Sequence, residues 1–378
     1  MSRIARSRII VLILCLAGVF LFLLRYLDTQ DLVIEKYGGA WVTTEDIPHN
    51  LRQWLRKAKA GKMKGSLDVR MFHKKTNLYR RKYDHRIKYK ADDEGRYKGG
   101  VTIGHFVGNT PQPGSLMWQW RGGEMFPGFL YGKVDNDGLF TGLDITYIYP
   151  DLETGLRGHF VNGELVEAIA VEIVAHRMSN GVKELKFKEA EPYHVTWTRD
   201  VSNDTYIGAH PKIMEPHERK SVYVGRSKGG KDDGVFARRS FKQGDLVSYF
   251  NGIKTTEDKM FNDNMTDEES ADMAKYYFGL GANVPKLYNI PKEIELDIPH
   301  PYRSVEEYTT TLGHKVNHMF DINTNTEFDS VDHPVFGVIV CHIAVKDIEV
   351  DEELFVNYNY GLEDAAKWYR DLYDQTYD

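Results

Sequence analysis

Cysteine is nearly absent from this chain of 378 residues: it has two, Cys15 and Cys341. Cys15 lies in an apolar N-terminal run, which leaves Cys341 alone in the rest of the chain. No intrachain disulfide can link soluble regions. A cysteine-based zinc cluster is excluded too, because such a site needs three or four ligands. Long uncharged runs are equally scarce. The one from Ile9 to Leu24 counts 16 residues, flanked by Arg3, Arg6 and Arg8 before it and Arg25 after it. As a helix it spans about 24 Å, short of a full bilayer core but workable with snorkelling flanks.

That run reads as a signal peptide or an uncleaved anchor. The anchor fits better, since cleavage at Ala17-Gly18 would leave an apolar new terminus. Arginines before the run and Asp28, Asp31 and Glu35 after it place the N-terminus in the cytosol and the bulk outside. The expectation is therefore a single-pass membrane protein on the secretory route, held through residues 9–24, with secretion after cleavage as the alternative. The sequons at Asn203 and Asn264 are compatible with that.

What is present is globular: 42% hydrophobic, 28% charged and 12% aromatic residues, enough for a sizeable core. The net charge of −6 hides an asymmetry. Residues 52–90 carry 15 Lys/Arg against 2 Asp/Glu, while residues 1–51 balance at five of each, so 91–378 carries −19. An acidic folded part complements a basic partner, or simply keeps the protein soluble. The basic stretch, interleaved with Trp54, Phe72, Tyr79, Tyr83 and Tyr89, suits anionic lipid or nucleic acid, but a solvated face or linker accounts for it better. A nucleic-acid partner is the weaker reading.

From about residue 95 glycines recur beside aromatic and β-branched residues. Tyr131-Gly132-Lys133-Val134 leads to Asp137-Gly138, and Arg157-Gly158-His159-Phe160 leads to Asn162-Gly163. Asp-Gly and Asn-Gly between alternating apolar positions predict hairpin turns. The near-repeat at Gly132 and Gly158 predicts stacked hairpins. This stretch resembles degenerate MORN repeats, best over 128–168.

Further along, Tyr223-Val224 opens a strand, Asp232-Asp233-Gly234-Val235-Phe236-Ala237 follows, and Ser248-Tyr249-Phe250-Asn251-Gly252 closes another. Ser304 with Glu307 forms a capping box that predicts a short helix before Leu312. Gly313-His314-Lys315-Val316-Asn317-His318 precedes an apolar strand from Phe336 to Val345. Ile348 to Tyr360 then joins an acidic pair, Glu352-Glu353, to Leu354, Tyr358 and Tyr360. Both signatures in this order resemble the SET domain of S-adenosylmethionine-dependent protein-lysine methyltransferases. MORN repeats precede that domain in one type, the histone-lysine type. The resemblance covers about 150 residues, or about 240 with the hairpins.

The resemblance implies a mostly β fold: hairpin repeats, then a SET β-fold with short helices and a C-terminal helix; the apolar run adds an N-terminal hydrophobic helix in front of it. The expected divisions are 1–30 (anchor), 31–94 (basic juxtamembrane region), 95–190 (hairpins), 191–365 (SET domain) and 366–378 (aromatic helix). It implies lysine N-methylation with S-adenosylmethionine as cofactor, no metal, and a basic protein such as a histone tail as acceptor. Carried over residue by residue, Tyr358 lies nearest the reacting amine and Tyr360 lines its channel. Asn317 and His318 hold the cofactor with backbone help from His314 and Lys315, Asp233 is an acidic contact to it, and Trp368 stacks on its adenine.

The chemistry explains such a site. Lysine must arrive neutral although its reference pKa is about 10.4, so the enzyme orients and desolvates rather than supplying a nucleophile.

Departures from the family pattern are specific. Asp232-Asp233-Gly234 has lost one glycine of a Gly-x-Gly turn. Phe250 and Phe328 stand at channel positions where relatives carry tyrosine, and two extra residues lie between His318 and His333. Tyr249 cannot replace Phe250, since adjacent strand side chains face opposite ways. A more apolar channel points to a higher methylation state, or to weakened catalysis. The reading from another class is a non-catalytic module that binds a basic peptide or scaffolds at a membrane.

Overall fold

The structure is a computed structural model. It describes residues 66–71, 84–90, 101–107, 110–120, 128–179, 182–190, 195–201, 207–227, 233–260, 266, 276–280, 290–320, 323–362, 365 and 367–377. The expected hydrophobic helix over residues 9–24, most of the basic stretch and both sequon asparagines lie outside these residues.

Four short strands come first: β1 (Ser66–Met71), β2 (Asp84–Lys90), β4 (His105–Val107) and β5 (Thr110–Pro111) form one antiparallel sheet. A second sheet holds β3 (Val101–Ile103), β6 (Leu116–Trp120), β7 (Phe129–Lys133), β8 (Gly142–Ile148), β9 (Thr154–Val161), β10 (Glu164–Ser179) and β11 (Val182–Glu189). It is a meander in the order β11-β10-β9-β8-β7-β6-β3, with β12 (Thr196–Thr198) also paired to β10. The predicted hairpins are here. Asn162 and Gly163 both take positive φ, 52° and 79°, as a two-residue type I′ connection between β9 and β10 requires. Gly158 permits the close approach of β10, because a Cβ there would sit 2.3 Å from the Glu167 carbonyl oxygen. The sheet curls, so that Tyr131 on β7 accepts the Leu185 N–H of β11 at 2.8 Å.

Helix α1 (Pro216–Ser221) links this sheet to the rest. The Glu215 carboxylate caps it, accepting the backbone N–H groups of His217 and Glu218. Then β13 (Val222–Arg226) pairs with β14 (Asp233–Ala237), and β15 (Leu246–Phe250) pairs with β21 (Gly337–Ala344), which pairs in turn with β20 (Thr326–His333). A small sheet of β16 (Ile253–Thr256), β18 (Ile294–Asp297) and β17 (Tyr277–Phe278) is inserted, with α2 (Glu257–Met260) beside it. The strands β19 (Asn317–His318) and β22 (Phe355–Val356) form a two-residue parallel pair. Helix α3 (Lys367–Tyr377) closes the chain and buries Tyr369 against Phe320 and Ala365.

The core between these strands is apolar, with Val235, Phe241, Val247, Leu312, Ile348 and Leu354 all buried. One expectation fails. The Ser304 capping box starts no helix: the chain makes one turn, in which the Tyr308 N–H reaches the Ser304 carbonyl at 2.9 Å. Glu307 is drawn to Lys212 at 2.9 Å instead of capping, and the Ser304 side chain is hydrogen-bonded to the Glu306 carboxylate.

The hairpin sheet and the later strands meet in a buried polar cluster. Tyr149 stacks on His217, Tyr249 lies edge-on to His333 at 4.7 Å, and His333 Nε2 faces Glu215 at 3.4 Å. Asp151 accepts the Thr154 hydroxyl at 2.6 Å and faces His217 at 3.5 Å. Burial alone would raise the Asp151 pKa, but the bonds from His217, Thr154 and the Glu153 N–H outweigh it and hold it at about 2. Glu218 is fully buried and accepts the Ser248 hydroxyl and the Tyr249 N–H, yet burial still pushes its pKa well up.

Candidate active site

The two signatures, some 40 residues apart in sequence, are joined by the β19–β22 pair. Asn317 lies opposite Phe355 and His318 opposite Val356. Asn325 locks that pair: its amide group donates to the Glu353 carbonyl at 2.8 Å, and its side-chain oxygen accepts the Phe355 N–H at 2.8 Å. Asn317 reaches the other way, donating to the Asp233 carbonyl at 3.1 Å and to Glu353 Oε1 at 3.2 Å. The acidic pair thus braces the strand crossing.

His318 is buried, and its Nδ1 accepts the Tyr358 N–H at 3.1 Å, which places the ring proton on Nε2. The ring is stacked on Tyr369 at 4.5 Å and meets Phe320 edge-on at 4.5 Å. Trp368 lies 6.0 Å from it, and 6.4 and 6.5 Å from Tyr358 and Tyr360. Helix α3 therefore brings an aromatic wall onto the strand crossing.

Beside this crossing is a narrow cavity of about 30 Å³, space for about two waters. Phe250, Tyr277, Phe278, Gly313, His314, Val316, Phe328, Tyr358 and Tyr360 line it. The Tyr358 hydroxyl donates to the Val316 carbonyl at 2.9 Å, and the two tyrosine rings are 5.5 Å apart. Burial raises both tyrosine pKa values, so both hydroxyls keep their protons at neutral pH. Burial also lowers His314 to about 3, leaving it neutral.

Five of the residues singled out in the sequence thus share one cavity: Tyr358, Tyr360, His314, Phe250 and Phe328. Asn317, His318 and Trp368 gather next to it. The Asp233 side chain is exposed, and it is the residue's carbonyl that Asn317 holds. Lys315 places its ammonium 5.9 Å over the Tyr276 ring. The pleat acts as expected on β15: Phe250 faces the cavity, while Tyr249 faces His217 and His333. Sequence reasoning missed Tyr277 and Phe278, whose only signal is the aromatic run Tyr276-Tyr277-Phe278.

Comparison with known proteins bears on this site. Residues 232–359 match the SET domain family, and residues 124–184 match the family described as the histone H3 K4-specific methyltransferase SET7 N-terminal domain. The chain is 27% identical over 286 residues to histone-lysine N-methyltransferase SETD7 of Halocynthia roretzi, across 73% of this chain. It spans 66% of that relative's length, just under two thirds. Among solved structures, the Neurospora SET domain protein DIM-5, a histone lysine methyltransferase, is 21% identical over 37% of this chain and 52% of that one, at a TM-score of 0.27. The Chaetomium thermophilum ctPRC2 in an autoinhibited conformation bound to S-adenosylmethionine is 22% identical over 42% of this chain and 17% of that one, at 0.28. Those two likenesses are too low to carry an argument.

The comparison corrects one expectation. Among the described residues no helix is long and apolar enough to cross a membrane. The longest helix among them, α3, has 11 residues, where a span needs about 20. The relative that the chain resembles over most of its length is named for histone lysines, not for a membrane or secreted role. The single-pass, secretory-route localisation and its secreted alternative are withdrawn, and with them the membrane as a partner. The chain carries, in this order, a segment matching the SET7 N-terminal family and a segment matching the SET domain family.

Proposed function

We propose that this protein transfers methyl groups from S-adenosylmethionine to a lysine of a basic protein, with a histone tail as the favoured acceptor. The observation that carries the reading is the small cavity lined by Phe250, Phe278 and Phe328 together with Tyr358, whose hydroxyl proton is committed to the Val316 carbonyl. The hydroxyl oxygen is then left to accept from an incoming amine, which aims the amine lone pair along the cavity. Phe250, Phe278 and Phe328 give the cavity three apolar walls, which favour the neutral amine over the ammonium.

The residues beside the cavity fit the cofactor. Both N–H groups of the Asn317 amide are engaged within the protein, so its side-chain oxygen is the group turned to accept from an ammonium. His318 is held in one tautomer, and Trp368 offers a large ring where an adenine would stack. S-adenosylmethionine supplies, when bound, an electrophilic methyl on a sulfonium. The backbone of His314 and Lys315 and the carboxylate of Asp233 complete the proposed cofactor contacts.

The acidic surplus of residues 91–378 favours a basic acceptor, and the SETD7 relative is named for a histone lysine. With phenylalanine at 250 and 328, no hydroxyl from those positions orders water in the channel, so the product includes di- or trimethyl-lysine. Repeated hairpins with Gly132 and Gly158 at close strand approaches support reading 95–190 as MORN-like. The SET part takes 191–365 and the aromatic helix 366–378. The divisions expected over 1–30 and 31–94 fall mostly outside the described residues.

The test is twofold. Calorimetry on the full chain should show saturable S-adenosylmethionine binding. Mass spectrometry of a histone-tail peptide should show methylation that Tyr358→Phe lowers by about 10²-fold, the cost of one oriented hydroxyl at a reacting centre, with cofactor affinity kept. No cofactor binding by the wild-type chain would sink the reading and favour a binding module.

A further inference from the structure

Strand β21 is apolar except for His342, which is fully buried. Its cross-strand partners are Ser248 on β15 and Phe328 on β20. Phe328 lines the cavity, and its ring lies 4.9 Å from the imidazole. On its other side, His342 Nε2 is 3.2 Å from the Gly313 carbonyl oxygen. A carbonyl only accepts, so the ring proton is on Nε2 and Nδ1 is a lone-pair acceptor. Among the described residues that Nδ1 has no hydrogen-bond partner. Burial holds the ring neutral, with a pKa of about 4.

Gly313 is a cavity residue in a tight place. A Cβ there would be 2.5 Å from the Tyr249 carbonyl oxygen and 3.0 Å from the Phe250 Cβ. The turn Gly313–Lys315 therefore rests directly on β15, with the His342 bond as its tie to the central strand. An imidazole with an idle buried nitrogen is an expensive way to fill a β-sheet core, where leucine or isoleucine would do. What an aliphatic residue cannot do is hold the Gly313 carbonyl while backing the Phe328 ring.

We infer that His342 is a positioning residue of the lysine channel: it holds the Gly313 carbonyl on one side and the Phe328 ring on the other, and so helps fix how many methyl groups are transferred. The inference rests on the proposed methyltransferase function. It predicts that His342→Leu frees both walls, and that the ratio of trimethyl to monomethyl product rises about five-fold, the weight of one neutral hydrogen bond in a rate ratio. His342→Gln keeps an N–H donor and restores the ratio toward the wild-type value.

The experiment is mass spectrometry of product states on a histone-tail peptide for the full-length wild type and both variants, with S-adenosylmethionine affinity measured alongside. A residue that merely packed the core would change yield or stability without moving the product ratio. An unchanged ratio in both variants, with turnover retained, overturns the inference and leaves the function standing. If His342→Leu does not fold, His342→Gln decides together with nitrogen NMR of the wild-type imidazole: a proton found on Nδ1 overturns the proposed bond. Absence of wild-type turnover overturns the function, and this inference with it.

Discussion

The Tyr358 hydroxyl donates to the Val316 carbonyl and keeps its oxygen for a partner, and Tyr277, Tyr360 and His314 line the same cavity. Across the cavity, Phe328 is backed by Phe278 at 4.7 Å and by His342. Phe328→Tyr adds an oxygen to that wall, and with it a place for an ordered water. We expect the trimethyl-to-monomethyl ratio to fall about ten-fold, read by mass spectrometry of the peptide product. The pH dependence follows from the same residues. His314 and His342 stay neutral because burial lowers them to about 3 and about 4, and burial raises Tyr358 and Tyr360 above neutrality. None of the four changes charge near neutral pH. The kcat/KM should therefore rise with pH across about 6 to 9, following only the deprotonation of an acceptor amine whose reference pKa is near 10.4. An acidic-limb inflection that vanishes in His314→Gln would contradict this assignment.

Among the elements, the junction made by α1 and the loop after β8 carries the most buried polarity. Asp151 has its pKa lowered from 3.8 to about 2. A depressed acid stabilises the fold fully above its unfolded pKa, and that contribution is lost as pH falls from about 4 toward 2. Asp151→Asn should cost about 1–3 kcal/mol at neutral pH by loss of a buried charged acceptor. Urea titrations at stepped pH should also show a flatter acid limb in the variant. The strand crossing was legible in the sequence because both of its strands carry recognisable signatures, and Asn317, His318, Tyr358 and Tyr360 were placed beside one another on that ground. The hairpins were legible because Asn162-Gly163 dictates its own turn. Tyr277, Phe278 and His342 were not, since pairing register with distant strands brings the first two to the cavity and sets His342 behind Phe328, and no local pattern encodes that. The Ser304 capping box misled for the opposite reason: its local signal was overruled by the bond of the Ser304 side chain to Glu306 and by the Lys212 ion pair of Glu307.

At the scale of the molecule, the hairpin sheet and the strands of the segment matching the SET family share one interior. Arg199 donates to the carbonyls of His333 and Pro334 and pairs with Glu164 of β10 at 3.0 Å. Lys220 of α1 pairs with Glu172 of the same strand at 2.8 Å. Thermal unfolding of residues 128–377 within the full chain should be one cooperative transition by calorimetry, and two resolved transitions would show that the parts fold independently. The acidic balance of residues 91–378 has its own consequence: the KM for a basic peptide should rise with salt while kcat holds, since screening weakens encounter more than chemistry. Strand β15 connects these two scales. Its neighbouring residues look in opposite directions, Tyr249 into the junction and Phe250 into the cavity, with one peptide unit between them. A partition this thin leaves little room for independent drift: inheritance that remodels the hairpin side must keep step with the cavity side, so the two modules are expected to diverge between lineages as one unit rather than as interchangeable parts.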